Sequence, residues 1–278
     1  MTKVFYKENW QNVDDLVFNF GNRGIKYGDG FFETMTVHEG QIKFLKDHLE
    51  RMERTASLLD LELSTSGFHK QLLIETVHSF SKISQYNSCS IRIQFFRIHG
   101  SRYTPSSPKV DFYIECSTLN SGSYQIGQKL ESIGIFKKHL LQKNSLLESI
   151  KSSNSLHYVL AKAYATKNDL SDVILMNTSD EIAEFSSSNL FIDLGDQIIT
   201  PPLSSGCLDG IIRRQLLKPT LSGLFNIQES VIKEQDLLNA QSIYGTNTTT
   251  GIFHITKYKE KVLGPGKANK IQSMLNKL

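Results

Sequence analysis

The sequence predicts a mixed α/β fold (α+β) that is divided into two domains. From Ser90 to Arg97, apolar and polar residues alternate, which is the period-2 pattern of a half-buried strand. From Leu45 to Leu59, apolar residues recur at spacings of four and three, which is typical of one face of a helix. A chain of 278 residues is also long enough for two hydrophobic cores.

The N-terminal half contains the clearest local signals. The sequences 34–37 and 41–44 are strand-like and flank His38-Glu39-Gly40, where glycine can adopt the positive φ of a tight turn. We therefore predict a hairpin. The helix at 45–59 follows it, and Arg51 lies on this helix beside the apolar face. A second strand is expected at 110–116, after a turn rich in proline.

The best candidate linker is the polar, Ser- and Gly-rich segment 118–124. We predict a small N-terminal domain at 1–117 and a larger C-terminal domain at 125–278 that carries Lys151. In the second domain we expect strands at 130–136, 172–176 and 189–193. A helix is expected at 154–167, with Asn154 as its N-cap and with Leu156, Leu160 and Ala163 facing inward.

Composition excludes several classes of function. Lys and Arg number 31 against 28 Asp and Glu, a balance too even for a nucleic-acid surface. No stretch approaches the roughly 20 apolar residues of a membrane span, and the first residues lack a signal-peptide core. The three cysteines lack metal-ligand spacing, so neither a disulfide framework nor a metal site is expected. A cytoplasmic protein with ordinary reduced thiols is the expectation, and its partner is not expected to be a nucleic acid or a membrane.

Between residues 151 and 213, three features suit one kind of ligand. Lys151 supplies an amine, Glu184 an acid, and the Gly210-Ile211-Ile212 segment supplies N–H groups at a predicted helix start. A phosphorylated pyridine aldehyde needs such partners, namely an amine for a Schiff base, an acid beside the ring nitrogen and donors for the phosphate. Taken singly, each residue has a structural explanation, such as a solvated lysine or a surface glutamate.

Six ordered segments of the chain resemble the class IV, fold type IV, pyridoxal-phosphate enzymes. This family includes branched-chain aminotransferases, D-amino-acid aminotransferases and 4-amino-4-deoxychorismate lyases. The first segment, Tyr27-Gly28-Asp29-Gly30-Phe31-Phe32-Glu33, is similar to the family's Tyr-Gly-Asp-Gly-x-Phe-Glu sequence. The others are 48–52, 151–154, 184–191, 200–213 and 247–252. The resemblance implies a two-domain fold of the D-amino-acid aminotransferase type, with pyridoxal 5'-phosphate in the interdomain cleft.

The resemblance also implies roles for individual residues. Lys151 matches the Schiff-base lysine, which also removes the substrate Cα proton through an external aldimine, and Glu184 matches the acid at the pyridine nitrogen. Phosphate contacts are implied for Arg51, for the N–H groups of Ile211 and Ile212, and for the Thr248 hydroxyl. The implied pocket-wall and substrate-binding residues are Arg102, Tyr27, Phe32, Thr36 and Asn247. A homodimer whose partner loops complete the pocket is implied as well.

Departures from the family patterns bear on the reaction. Lys151 and Asn154 are separated by two residues, as in the lyase and D-amino-acid groups, which disfavours a branched-chain aminotransferase. Arg102 matches an arginine that can meet a substrate carboxylate. However, Phe32 and Thr104 stand where the D-specific enzymes carry a tyrosine and a histidine.

Three functions remain open on the sequence alone. An aminodeoxychorismate lyase, which releases 4-aminobenzoate and pyruvate, is placed slightly ahead of an amino-acid aminotransferase of the branched-chain or D-amino-acid type. A binding module of the same fold without turnover is the third. Because Lys151, Glu184 and Arg51 are all present, an enzyme is favoured over that module.

Overall fold

The computed structural model describes residues 1–17 and 21–278 and divides the chain into two compact units. The first unit comprises Met1–Ser123 with Lys151–Asn154, and the second comprises Tyr124–Ile150 with Ser155–Leu278. This division differs from the predicted boundaries at Lys151–Asn154, which follow the predicted linker in sequence but belong to the first unit. The reason is a backbone pairing, in which Phe32 N donates to Lys151 O at 2.9 Å and Ser153 N donates to Gly30 O at 3.0 Å.

The first unit is built on an antiparallel sheet with the strand order β2-β1-β8-β5-β3-β4. Its strands, together with the short hairpin β6-β7, are β1 (Thr2–Tyr6), β2 (Asn9–Gln11), β3 (Gly30–His38), β4 (Gln41–Ile42), β5 (Cys89–Arg97), β6 (Gly100–Ser101), β7 (Thr104–Pro105) and β8 (Val110–Thr118). Its helices are α1 (Arg23–Tyr27), α2 (Leu45–Leu58) and α3 (Lys70–Ser84).

The predicted hairpin and helix of the first unit are present. Val37 pairs with Ile42 and His38 with Gln41, so a two-residue turn of Glu39 and Gly40 connects β3 to β4. Both turn residues have positive φ, which matches the right-handed twist of the paired strands. Helix α2 packs its apolar face on β3 and β5 in the core cluster of this unit. The core therefore lies on one face of the sheet, and the other face carries the polar side chains described below.

The second unit is built on a mixed sheet with the order β19-β18-β10-β11-β12-β13-β16-β17-β9, and β14 joins it beside β13 and pairs with β15. The strands are β9 (Lys129–Leu130), β10 (Ile133–Leu141), β11 (Asp172–Asn177), β12 (Ile182–Phe185), β13 (Asn189–Asp193), β14 (Ile198–Thr200), β15 (Ile227–Glu229), β16 (Ser242–Asn247), β17 (Gly251–Ile255), β18 (Lys257–Tyr258) and β19 (Lys261–Val262). The helices are α4 (Leu156–Lys167), α5 (Ile211–Leu217), α6 (Pro219–Phe225), α7 (Glu234–Asn239) and α8 (Ala268–Lys277).

The orientation predicted for the helix at 154–167 was wrong. Helix α4 starts at Leu156 with Ser155 at the N-cap, and it buries Ala161 and Ala165 against the sheet. Leu156 and Leu160 are 68% and 49% exposed. Small residues permit close approach of the helix to the strands, so the alanine face packs inward and the leucine face is left outside.

In the part of the chain that the structure describes, no helix is long and apolar enough to cross a membrane. Within the same residues, no group of three or more His, Cys, Asp or Glu side chains could hold a metal ion.

Candidate active site

Lys151 lies in the first unit, directly beside the start of β3. Its carbonyl and the N–H of Ser153 pair with the backbone of β3, so the segment behaves as a short added strand. Gln94 on β5 adds a side-chain bond, from its Nε2 to the Ser153 hydroxyl at 2.8 Å. The lysine is therefore held by backbone and side-chain contacts from two neighbouring strands.

The Lys151 amine lies over an aromatic ring. Its Nζ is 4.4 Å from the centroid of the Phe32 ring, a distance at which an ammonium group and a ring attract each other. Phe32 follows Phe31 on β3, and strand alternation buries Phe31 in the core and turns Phe32 to the opposite, half-buried face. The structure thus brings together two predicted site residues, Lys151 and Phe32.

Arg51 is buried in the first unit and forms an ion pair with Glu33. Its Nε donates to Glu33 Oε2 at 3.0 Å, and its Nη2 donates to Oε1. His48 Nδ1 lies 2.9 Å from the same Oε1. Burial alone would raise the pKa of Glu33, but Arg51 and His48 together lower that pKa well below its usual range.

Tyr27 and Arg102 lie near each other in the first unit, and both contact Arg23. The Tyr27 ring lies 5.0 Å from Arg23 Cζ and 5.6 Å from the Tyr103 ring. Arg23 Nη1 donates to the Arg102 carbonyl at 2.9 Å, which ties the β6-β7 hairpin down. The Arg102 side chain is exposed, and Tyr27 is half-buried.

Thr36 is the predicted pocket residue that the structure buries completely. Its exposed fraction is 0%, and its carbonyl accepts a hydrogen bond of 2.9 Å from Lys43 N. This position closes the β3-β4 hairpin and does not present the side chain to solvent.

Glu184 lies in the second unit, on β12, and is almost fully buried. Its Oε1 accepts a hydrogen bond of 2.6 Å from the Tyr158 hydroxyl, and its Oε2 accepts bonds from Asn189 Nδ2 at 3.2 Å and Leu208 N at 3.1 Å. Asn189 is the cross-strand partner of Glu184, which explains why the two side chains meet. Three donors that point at one carboxylate favour its ionised form.

Tyr158 on α4 donates the shortest of the three hydrogen bonds to Glu184. Burial, and then the negative charge of Glu184, raise the pKa of Tyr158 well above its ordinary value near 10. The tyrosine therefore keeps its proton at neutral pH, and the hydrogen bond can run in one direction only, from Tyr158 to Glu184.

Gly210 lies beside Asn189, the residue that donates to Glu184, and directly precedes α5. It is the N-cap of the helix, in extended conformation, and its N–H donates to Leu208 O at 2.9 Å. A Cβ at Gly210 would collide with Asn189 Oδ1, so only glycine fits beside the side chain that holds Glu184. The N–H groups of Ile211 and Ile212, in the first turn, have no acceptor within the helix, and the two side chains are buried.

Asn247 and Thr248 lie at the turn from β16 to β17. Asn247 Oδ1 accepts hydrogen bonds from Thr249 N at 3.1 Å and Thr250 N at 2.8 Å, and its Nδ2 donates to Ser187 O at 3.5 Å. The amide thus shapes the turn, and Thr248 is half-buried within it.

Sequence reasoning missed the residues that support the predicted ones. Tyr158 and Asn189 hold Glu184, while Gln94 and Arg92 lie around Lys151 and Phe32. One signal was available, since Glu184 and Asn189 flank the Phe-Ser-Ser-Ser turn at 185–188 and are therefore cross-strand neighbours in a hairpin. No local signal in the sequence pointed to Tyr158.

Comparison with known proteins gives the family. The sequence pattern of the Amino-transferase class IV family matches residues 30–258. The chain belongs to this class IV family. It is therefore a pyridoxal-phosphate-dependent enzyme, and pyridoxal phosphate is its cofactor. This family membership indicates an enzyme and not the binding module without turnover.

Individual relatives carry different names within class IV. A D-alanine aminotransferase of Staphylococcus epidermidis is 28% identical over 99% of this chain and 95% of its own length. An aminodeoxychorismate lyase of Vibrio harveyi is 26% identical over 84% of each chain. Both names support the class, and neither alone decides the reaction.

Solved structures agree on the fold. A branched-chain aminotransferase of Thermoproteus uzoniensis superimposes with a TM-score of 0.82 at 19% identity, over 98% of this chain and 93% of its own. An aminotransferase from Brucella abortus bound to PLP has a TM-score of 0.80 at 18% identity, over 99% and 97% of the two chains. The predicted α/β (α+β) fold class of type IV is confirmed.

Proposed function

We propose that Lys151 is the lysine that carries the cofactor and that Glu184 is the acid at its ring nitrogen. The observation that carries this proposal is the environment of Glu184, a buried carboxylate with three inward hydrogen-bond donors and Gly210 beside it. A buried carboxylate held in its ionised form is what a protonated pyridine nitrogen requires. Lys151, already held against β3, supplies the amine.

The remaining cofactor contacts follow from donors of suitable type. The N–H groups of Ile211 and Ile212 at the start of α5, the Thr248 hydroxyl and the Arg51 guanidinium would hold the phosphate. The residues present fit the group, because the first N–H groups of α5 have no acceptor within the helix and suit an anionic phosphate.

In the mechanism, Lys151 moves the proton. When bound, the cofactor supplies a ring that withdraws the electron pair left at the substrate Cα. Lys151 Nζ removes the Cα proton as general base, while Glu184 keeps the ring-nitrogen proton in place. Arg102, exposed on its hairpin, would orient the substrate carboxylate. These steps are common to a lyase and an aminotransferase.

For the specific reaction we propose a 4-amino-4-deoxychorismate lyase. Phe32, whose ring lies beside Lys151, has no hydroxyl, and Thr104 on β7 is exposed. The tyrosine and histidine of the D-specific carboxylate trap are therefore replaced. Proton removal by Lys151 followed by loss of the enolpyruvyl group as pyruvate leaves the aromatic 4-aminobenzoate, so aromatisation drives the elimination.

A D-amino-acid aminotransferase is the second candidate, because relatives of that name match 99% of the chain. The test is to incubate the cofactor-loaded protein with 4-amino-4-deoxychorismate and to follow 4-aminobenzoate and pyruvate. Equal amounts of both products, with the visible spectrum restored, support the lyase. If neither product forms and D-alanine instead yields pyruvate with pyridoxamine phosphate, the aminotransferase replaces it. A Lys151→Ala variant is the control for both assays.

We also propose that the enzyme is a cytoplasmic homodimer. The outer face of α4 supports the dimer, since Leu156, Val159 and Leu160 occupy positions i, i+3 and i+4 and are 68%, 58% and 49% exposed. An apolar helix face of this kind is more often covered than left in water.

A further inference from the structure

Arg92 and Lys151 contact the same aromatic ring. On the polar face of the first-unit sheet, β5 pairs with β3 so that Phe32 lies opposite Gln94 and Thr34 lies opposite Arg92. Arg92 Cζ is 3.7 Å and Lys151 Nζ is 4.4 Å from the Phe32 centroid. The two cations therefore lie within about 8 Å of each other, which is about one Debye length in physiological salt.

A second connection runs through hydrogen bonds. Arg92 Nη2 donates to Gln94 Oε1 at 3.2 Å, and Gln94 Nε2 donates to Ser153 Oγ at 2.8 Å and to Phe31 O at 3.0 Å. Gln94 therefore fixes both the strand that carries Phe32 and the segment that carries Lys151. Arg92 holds the orientation of this amide by occupying its oxygen.

Two further groups face Arg92 from β8. Glu115 is its cross-strand partner, and Tyr113 lies diagonally beside it and shares a hydrogen bond with it. Burial raises the pKa of Tyr113, so that side chain is neutral at neutral pH. The Glu115 carboxylate balances part of the positive charge of Arg92, and the rest acts on Lys151.

We propose that Arg92 is a positioning residue for Lys151. The stacked guanidinium holds the Phe32 ring in place beneath the lysine amine, and its positive charge opposes the attraction of that ring for an ammonium group and disfavours a second positive charge on the amine. Lys151 would thereby be kept as a neutral nucleophile and base closer to neutral pH. This inference rests on the proposed role of Lys151 as the cofactor-binding lysine.

The first test is the pH midpoint of the visible absorbance change of the cofactor-loaded protein. Arg92→Met removes the charge, so the midpoint should rise by about one pH unit. Arg92→Lys keeps the positive charge, so its midpoint should lie close to that of the wild type. Glu115→Gln removes the balancing negative charge and should move the midpoint in the opposite direction. If Arg92→Met does not fold, the midpoint of Glu115→Gln still tests the effect of the Arg92 charge.

The second test uses the protein without cofactor. The rate at which trinitrobenzenesulfonate labels Lys151 is measured against pH by peptide mass spectrometry, and the variants should show the same order of midpoints. Unchanged midpoints, or shifts of one sign in both Arg92→Met and Glu115→Gln, would overturn the proposal and leave Arg92 a structural residue. Failure of the wild type to hold cofactor on Lys151 would instead contradict the proposed function, and the labelling experiment would still decide the role of Arg92.

Discussion

Tyr158 and Glu184 are joined by a hydrogen bond of 2.6 Å in which the tyrosine hydroxyl donates to Oε1. Because burial and Glu184 raise the pKa of Tyr158 well above 10, this donor does not titrate at physiological pH. Glu184 Oε2 accepts two more hydrogen bonds, from Asn189 and Leu208. All three donors favour a charged carboxylate, which is the form that the role proposed for Glu184 requires.

Replacing Tyr158 with Phe should lower kcat by about tenfold to a hundredfold, because a hydrogen bond to a charged group contributes about 1.5–3 kcal/mol. The ring packing on α4 would be kept. Steady-state kinetics at saturating cofactor are the measurement, and Tyr164→Phe on the same helix is the matched control. A kcat that is unchanged in Tyr158→Phe would show that the bond does not support catalysis.

Replacing Gly210 with Ala should weaken cofactor binding. The added Cβ would displace Asn189 and, through it, Glu184 and the start of α5. The Kd for pyridoxal phosphate, measured by fluorescence titration, is expected to rise at least tenfold. Gly223→Ala is the control, because a Cβ there meets nothing within 4 Å and alanine favours the helix α6. Equal affinity in the two variants would refute the role given to Gly210.

Replacing Glu33 with Gln should destabilise the protein at pH 7 by about 3–5 kcal/mol, because Arg51 loses its partner in a buried site. The folded pKa of Glu33 lies below the unfolded one, so its contribution is complete above about pH 5 and is lost as the pH falls towards the folded value. Urea unfolding at pH 7, 5 and 3.5 should therefore show that the difference in free energy of unfolding between wild type and variant decreases as the pH falls. A difference that increases on acidification would contradict this prediction.

Replacing Val159 with Glu should dissociate the proposed dimer, since a charge would be placed in the centre of the apolar face of α4. Sedimentation velocity should show a dimer for the wild type and a monomer for the variant. Leu224→Glu, at another exposed apolar position, should leave the wild-type state unchanged. A wild-type monomer would rule out the dimer directly.

The fold could be predicted well where a pattern is local. The β3-β4 hairpin, helix α2 and strands β5, β8, β11 and β13 lie close to the predicted positions because each has a regular period or a turn residue of its own. Lys151–Asn154 could not be placed, since its pairing with β3 joins residues more than a hundred positions apart. The inward face predicted for α4 was wrong, because Leu156, Leu160 and Ala163 are exposed while Ala161 and Ala165 pack against the sheet.

The site could be predicted only in its main residues. Lys151, Glu184 and Arg51 were identified through ordered motifs, and their roles stay predictions. Tyr158, which donates to Glu184, and Gln94, which donates to Ser153 beside Lys151, belong to other elements, and only the folded sheet and helices bring them near. The pocket-wall role of Thr36 stays a prediction as well, and the structure buries this side chain completely.

The most direct test is to identify the lysine that holds the cofactor. The protein is loaded with pyridoxal phosphate, reduced with borohydride and digested, and the peptides are mapped by mass spectrometry. We expect the phosphopyridoxyl group on Lys151 in the wild type and its absence in Lys151→Ala, with Lys162→Ala labelled as in the wild type. A label on any other lysine, or a Lys151→Ala protein that still carries the label, would contradict the role proposed for Lys151.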